Sequence, residues 1–326
     1  MNNSLIDLFG RVHTYLRISL TDRCNLRCNY CIPEHPAYFP HKKLLNAKEI
    51  EILTKYFVGM GINKIRLTGG EPLVRKDFPD IAERLYKLGV PIHLTTNGYL
   101  LEQNLEVIRK YFSSVNISLD TLRKDRFKQI TKRDAFKTTL NNIKLSFSEG
   151  IKTKLNMVVI RGINNDEIND FVKLTLKRPV EIRFIEFMPF KGNEWSPDKL
   201  FLKKEIIQTI KREYPIEVLT SEKGKTATMY RIKNAAGKFG IISTVSNSFC
   251  EQCNRLRITA DGKLKNCLLG PEEFDLKPLL HDELSFQNKI RSALRVKKRS
   301  HGIKELTCNY PLNICSVPLS MTSIGG

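Results

Sequence analysis

Two groups of three cysteines constrain this chain more than any other feature. Cys24, Cys28 and Cys31 follow the spacing C-x3-C-x2-C, and Cys250, Cys253 and Cys267 follow C-x2-C-x13-C. Three thiolates within eight residues enclose one metal centre only if the backbone loops around it, and the small or polar neighbours Asp22, Asn25 and Asn29 suit such a loop. A structural zinc site takes four protein ligands, usually in paired spacing, and a ferredoxin gives four cysteines to its cluster. Each local count here stops at three. Three ligands on a four-iron cluster leave one iron open, and an open metal position is where a substrate or cofactor binds. Zinc remains the alternative, with His35 or His41 joining the first triad, or Cys308 and Cys315 the second. Against a zinc ribbon, Cys267 is followed by Leu268 and Leu269 rather than by a second C-x2-C pair.

The rest of the sequence says which setting these cysteines work in. No apolar run approaches the length of a membrane span, and residues 1–11 lack the regions of a signal peptide. The expectation is a cytoplasmic protein without a membrane partner, where eight cysteines serve metal or redox chemistry rather than disulfides. At 326 residues and 41% hydrophobic content the chain buries a full-sized core without needing cysteines to fold. Lys and Arg outnumber Asp and Glu 54 to 34, a net charge of +20 that favours an anionic partner such as nucleotide, RNA or anionic lipid. The charge is spread along the chain, as on an ordinary solvated basic surface.

From residue 14 to about 188, β-rich runs alternate with amphipathic helical stretches, the pattern of parallel strands joined by crossover helices. Six strands are expected at residues 15–20, 64–67, 92–95, 114–119, 153–160 and 181–187, with helices such as 47–58 and 77–88 between them. Six is short of the eight in a closed TIM barrel, so the expected fold class is α/β, a partial, open TIM-type barrel with a smaller C-terminal cluster-binding domain. We divide the chain into 1–200 and 201–326, the second part holding a helix at 203–212, short strands near 229–232 and 239–244, and the second triad. Polar clusters gather where the strands end: the Cys24 loop, Gly69 to Pro72, Thr95 to Gly98, Ser118 to Asp120 and Glu186 to Met188. Active sites of parallel α/β architectures form at those carboxyl ends.

The first triad, with Tyr30 before its last cysteine and Gly69-Gly70-Glu71-Pro72 after the next strand, resembles the radical S-adenosylmethionine (SAM) superfamily. The second triad and the Gly325-Gly326 ending narrow the resemblance to the GTP 3′,8-cyclase family, the molybdenum-cofactor biosynthesis protein A family, over essentially the whole chain. That resemblance implies two 4Fe–4S clusters, one per triad, with SAM on the open iron of the first and the guanine of GTP on the second. It implies SAM contacts from Tyr30, Gly70, Ser118 and Met188, and GTP contacts from Arg17, Arg66, Thr95, Lys154, Arg255, Leu256 and Arg257. Arg17, Arg255 and Arg257 are its catalytic candidates, since arginine forks hold phosphate oxygens bidentately. The implied reaction removes hydrogen from ribose C3′, joins C3′ to C8 of guanine, and hands the product to cyclic pyranopterin monophosphate synthase. A homodimer and an electron-donor protein are implied as well.

Two rival readings stay open on the residues alone. A radical SAM enzyme acting on RNA or a peptide would draw support from the +20 charge, but aromatic residues are not interleaved with the basic ones as base stacking requires. A zinc-stabilised nucleic-acid-binding module would hold zinc without sulfide. The absence of a P-loop fits a nucleotide that is rearranged rather than spent for energy. Cys308 and Cys315 carry no role in this reading.

Overall fold

A computed structural model of the chain describes residues 4–220, 224, 226–301 and 321–324. Cys308, Cys315, Gly325 and Gly326 lie outside the described residues.

All six expected strands are present: β1 (Tyr15–Ser19), β2 (Lys64–Thr68), β3 (Ile92–Thr96), β4 (Ser114–Ser118), β5 (Thr153–Val159) and β6 (Glu181–Glu186). They pair in parallel in chain order. Between them run α1 (Ala47–Gly59), α2 (Phe78–Tyr86), α3 (Leu105–Tyr111), α4 (Lys124–Thr131), α5 (Phe136–Ser148) and α6 (Ile168–Lys177). Right-handed crossovers between strands added one after another in the same direction put every helix on one face of the sheet. That leaves the other face without helical cover, the condition for a curved sheet enclosing a lumen.

The strand sequences match this division. Leu16, Ile18, Ile65, Leu67, Leu94, Val115, Ile117, Leu155, Met157, Ile182 and Phe184 are at most 2% exposed and form the core under the helices. The residues between them are mostly polar: Y-L-R-I-S, K-I-R-L-T and S-V-N-I-S alternate strictly. Parallel strands are ordinarily apolar on both faces, so period-two polarity here marks a sheet whose second face holds something other than a packed core. Local signals fix the helix starts. Asn46 and Glu49 form a reciprocal capping box on α1, and Pro79 stands in the first turn of α2.

The parallel run is longer than the six strands expected. After α7 (Lys203–Lys211), β7 (Ile216–Leu219) and β8 (Thr228–Ile232) lead into β9 (Lys238–Ile242), which pairs in parallel with β6. Then β10 (Arg255–Ile258) pairs in parallel with β1 at the opposite edge, followed by β11 (Lys263–Lys265), β12 (Phe274–Asp275) and α8 (Glu283–Arg295). The order is β12-β11-β10-β1-β2-β3-β4-β5-β6-β9-β8-β7, with antiparallel pairs flanking a parallel centre, and the sheet stays open. Strand β10 escapes a sequence reading because four residues, R-L-R-I, with two arginines look like a binding motif rather than a strand. Among the described residues no helix is long and apolar enough to cross a membrane.

Candidate active site between two cysteine triads

Register places the polar alternate residues side by side on the uncovered face. Arg257 stands beside Arg17, Arg17 beside Arg66, Arg66 beside His93, and Tyr15 beside Arg255 and Lys64. Thr95, Asn116, Lys154 and Glu181 continue the row, with Ser118, Asn156 and Arg183 one step further along their strands. Among the sequence candidates, Arg17, Arg66, Thr95, Lys154, Arg255 and Arg257 are thus brought to one surface. Leu256 is not: it is fully buried in the apolar core, and only its backbone lies between the two arginines. Lys64, Asn116, Asn156 and Arg183 were not anticipated. Their signal was the same alternation that carries Arg17 and Arg66, read across strands as a column rather than along each strand.

The row is a concentration of buried positive charge. Arg66 and Arg257 are each 5% exposed. Nε of Arg66 donates to the Tyr15 hydroxyl at 2.6 Å and Nη1 to the Leu94 carbonyl at 2.7 Å and to Thr95 Oγ1 at 3.3 Å. Burial pushes Arg17 down to about 10, with Arg66 and Arg255 adding like-charge repulsion against the help of Tyr15. Arg257 is driven well below its ordinary value by burial and by Arg17 and Arg255. Burial and Arg183 bring Lys154 to about 8, although Glu181 accepts from its Nζ at 2.9 Å. Burial raises the Tyr15 phenol, but the guanidiniums of Arg66 and Arg17 outweigh it and hold the group at about 7. Crowded, desolvated cations of this kind gain most from a polyanion. Oδ1 of Asn116 and of Asn156 are buried on the same face without hydrogen-bond partners among the described residues, two acceptors that a bound ligand with N–H or O–H groups would satisfy.

The first triad caps the carboxyl end of this lumen. The chain leaves β1 into the loop of residues 21–31, and the loop after β2 packs directly on it. The Gly70 amide donates to the Thr21 carbonyl at 2.6 Å and that of Glu71 to the Arg23 carbonyl at 2.8 Å. Fully buried Glu71 accepts from Leu73 N, Thr96 Oγ1 and Asn97 N, which locks the next loop to the same place. Cys24 Sγ accepts from Leu26 N at 3.4 Å and from Asn97 Nδ2 at 3.6 Å. Tyr30 donates its hydroxyl to Asp120 at 2.6 Å and meets Phe187 edge-on. Tyr30, Ser118, Asn97, Asp120 and Cys28 line one small cavity, and buried Met188 belongs to the apolar cluster against which Tyr30 packs. The four sequence-derived SAM candidates therefore converge at one end of the lumen.

The second triad sits at the opposite end, because Cys253 precedes the first residue of β10 and β10 runs parallel to β1. The x13 spacing is a hairpin: β10 runs out, residues 259–262 turn, and β11 returns in the register Arg257 to Lys265. Cys267 is thereby carried back beside Cys253. A five-residue strand separates the two ends, roughly 15 Å at the usual rise.

The thiols fit an iron-sulfur cluster in donor type and electrostatics. All six cysteines of the triads are free and partly exposed. Burial raises Cys24 to about 11 and Cys31 to about 12, and raises Cys28 well above its ordinary value, with neighbouring thiols contributing to Cys28 and Cys31. Such groups ionise together only when a metal centre compensates them. Among the described residues no three His, Cys, Asp or Glu side chains enclose a single ion. Thiolates that each take a separate iron need not converge on one point.

The chain is similar to known proteins along most of its length. Residues 18–175 match the Radical SAM superfamily and residues 180–303 match Molybdenum Cofactor Synthesis C. The chain is 43% identical to molybdenum cofactor biosynthesis protein 1 of Drosophila melanogaster over 92% of its own length and 55% of the relative's. It thus spans about half the length of that relative and of its Dictyostelium discoideum counterpart, of which it covers 50%. It is 42% identical to the mitochondrial GTP 3′,8-cyclase of Arabidopsis thaliana, covering 96% of this chain and 83% of the relative. With the GTP 3′,8-cyclase of Listeria monocytogenes serovar 1/2a it shares 41% identity over 91% of this chain and 92% of the relative. The crystal structure of Streptococcus suis SuiB bound to S-adenosylmethionine superposes with a TM-score of 0.61 over 95% of this chain and 73% of that one, at 14% identity, a likeness of fold. With curated relatives above 40% identity matched over most of both chains, this chain belongs to the radical SAM GTP 3′,8-cyclase family of molybdenum-cofactor biosynthesis.

Proposed function

We propose that this chain converts GTP to (8S)-3′,8-cyclo-7,8-dihydroguanosine 5′-triphosphate, using SAM and two 4Fe–4S clusters. Membership of the superfamily brings SAM and one such cluster, and the second cluster is our reading of the second triad. The observation that carries the proposal is the cationic lumen strung between the two triads. It offers a tetra-anionic nucleotide one orientation, with its reacting part reachable from both ends.

In this reading Cys24, Cys28 and Cys31 hold the first cluster, and Tyr30, Gly70, Ser118 and Met188 hold SAM. Cys250, Cys253 and Cys267 hold the second cluster. When bound, the first cluster and SAM supply a hydrogen-atom abstractor at the carboxyl end of the lumen. The arginines and lysines of the row grip the triphosphate, Arg17, Arg255 and Arg257 by paired N–H groups, Arg66 and Lys64 as further charges from β2, and Lys154 and Arg183 from β5 and β6. Thr95 and the backbone at Leu256 border the same space. Closing a bond from ribose C3′ to guanine C8 needs those carbons held together and water kept out, so immobilising both ends of the nucleotide is the chain's main contribution. Arg17, Arg255 and Arg257 also offset negative charge on the cyclised base as it is reduced and protonated.

From the family reading we further propose a homodimer, an electron-donor protein, delivery of the product to cyclic pyranopterin monophosphate synthase, and residence in the cytoplasm.

The test is an anaerobic assay of reconstituted protein with SAM, dithionite and GTP deuterated at C3′, followed by mass spectrometry of the 5′-deoxyadenosine. Deuterium in the deoxyadenosine together with a cyclised nucleotide is expected. Deoxyadenosine free of deuterium would sink the GTP assignment while keeping the superfamily chemistry.

A further inference from the structure

Lys297, two residues beyond α8, is 4% exposed. Lysine is almost never this buried without a paired carboxylate. The contacts of its Nζ are Sγ of Cys253 at 3.8 Å, the Arg255 carbonyl at 3.1 Å and the Asn266 carbonyl at 2.5 Å. The nearby carboxylate of Asp7 is taken by Arg11 at 2.6 Å and His13 at 3.0 Å. Among the described residues the closest anionic partner of this buried ammonium is a cysteine sulfur, which points to a negative centre on that sulfur.

The position is built from several directions. Asn266 adjoins Cys267, and its Nδ2 donates to the Ala293 carbonyl at the end of α8. Arg11, 7% exposed, donates to the Cys250 carbonyl at 2.7 Å and to those of Arg299 and Lys298 at 3.0 and 2.8 Å. Residues 297–299 therefore tie together the segments of all three cysteines of the second triad.

We propose that Lys297 is a positioning residue for the cluster of the second triad, donating to the Cys253 thiolate, fixing the spacing of Cys253 and Cys267, and favouring the cluster's reduced state. The inference rests on the two-cluster reading above. Three thiolates on a four-iron core leave a net negative charge, and reduction adds another electron. A cation held in a poorly screened interior therefore favours the reduced form and raises the midpoint potential.

The test uses the full chain carrying Cys24→Ser, Cys28→Ser and Cys31→Ser, so that any cluster sits on the second triad. Iron and sulfide are measured after anaerobic reconstitution, and the spin-resonance signal of the reduced cluster is titrated against potential. If this background protein holds no iron, the two-cluster reading falls and takes the inference with it. With the cluster present, Lys297→Met is expected to move the midpoint to a more negative potential and to lose iron to a chelator about tenfold faster. Lys297→Arg should restore both. An unchanged midpoint in Lys297→Met overturns the inference while leaving the second cluster standing. Should Lys297→Met hold no cluster, Lys297→Arg decides: retention at a near-native midpoint supports the role, and equal loss overturns it.

Discussion

Gly70 is a point of close approach between the two loops at the carboxyl end of the lumen. A Cβ at this position would lie 2.3 Å from the Arg23 carbonyl oxygen and 2.8 Å from that of Asp22. Both neighbours are backbone of the loop that presents Cys24, so neither can step aside alone. Gly70→Ala is expected to leave the circular-dichroism spectrum intact and to cut SAM cleavage by about a hundredfold, the usual effect of an ångström-scale displacement at a reacting centre. Native cleavage rates in that variant would mean the loops do not position SAM. A second residue-scale prediction follows from Lys154, held at about 8 by burial and Arg183 against the pull of Glu181. Only its charged form attracts phosphate, and the proton is lost as pH rises, so kcat/KM for GTP should fall above about pH 8. Tyr15, at about 7, gains its negative charge about one pH unit lower, so it acts in the same direction but begins the fall near pH 7. Lys154→Arg should move the Lys154 contribution beyond the measurable range, and Tyr15→Phe should remove its own. A profile unchanged by both substitutions would exclude these groups as its source.

The β10–β11 hairpin turns a spacing in sequence into a shape. Its register pairs Arg257 with Lys265 and Ile258 with Leu264, so one arm delivers arginines to the lumen while the other returns Cys267 to Cys253. Inserting one residue after Lys263 exchanges the faces of fully buried Leu264 and of Lys265, 1% exposed. We expect that variant to keep the iron of the first triad and lose that of the second, measured as iron and sulfide after reconstitution. Full iron content would show that the triad tolerates a shifted hairpin. The same element shows how far sequence could be read. The six parallel strands were legible from their alternation, and both triads from their spacing. Strand β10 was not, because four residues carry too little pattern and its arginines suggested a ligand first. Lys64, Asn116, Asn156 and Arg183 were missed for a related reason: each is unremarkable on its own strand, and only the register between strands aligns them. Lys297 lies beyond any such reading, since α8 separates it from Cys267 in sequence and only tertiary packing returns it to Cys253.

At the scale of the whole molecule, the parallel pairing of β10 with β1 assigns the two triads to opposite ends of one lumen. It does so although both edges of the sheet are completed by strands from beyond residue 200. The ends also differ electrostatically: burial raises the thiols of the first triad, with Glu71 near Cys24 and Asp120 near Cys28 and Cys31 adding to it, whereas Lys297 and Arg255 outweigh burial and lower Cys253. Separate ends predict separable losses. Replacing Cys24, Cys28 and Cys31 with serine should abolish SAM cleavage while leaving GTP bound by the arginine row, as equilibrium dialysis with labelled GTP would read. Replacing Cys250, Cys253 and Cys267 should instead leave SAM cleavage running without a cyclised product, because the abstracting end is intact and the nucleotide has lost its fixed pose. If both triple variants lost SAM cleavage and GTP binding together, with secondary structure preserved, the triads would have to act as one site. The lumen between them would then be a passage rather than the place where the nucleotide reacts.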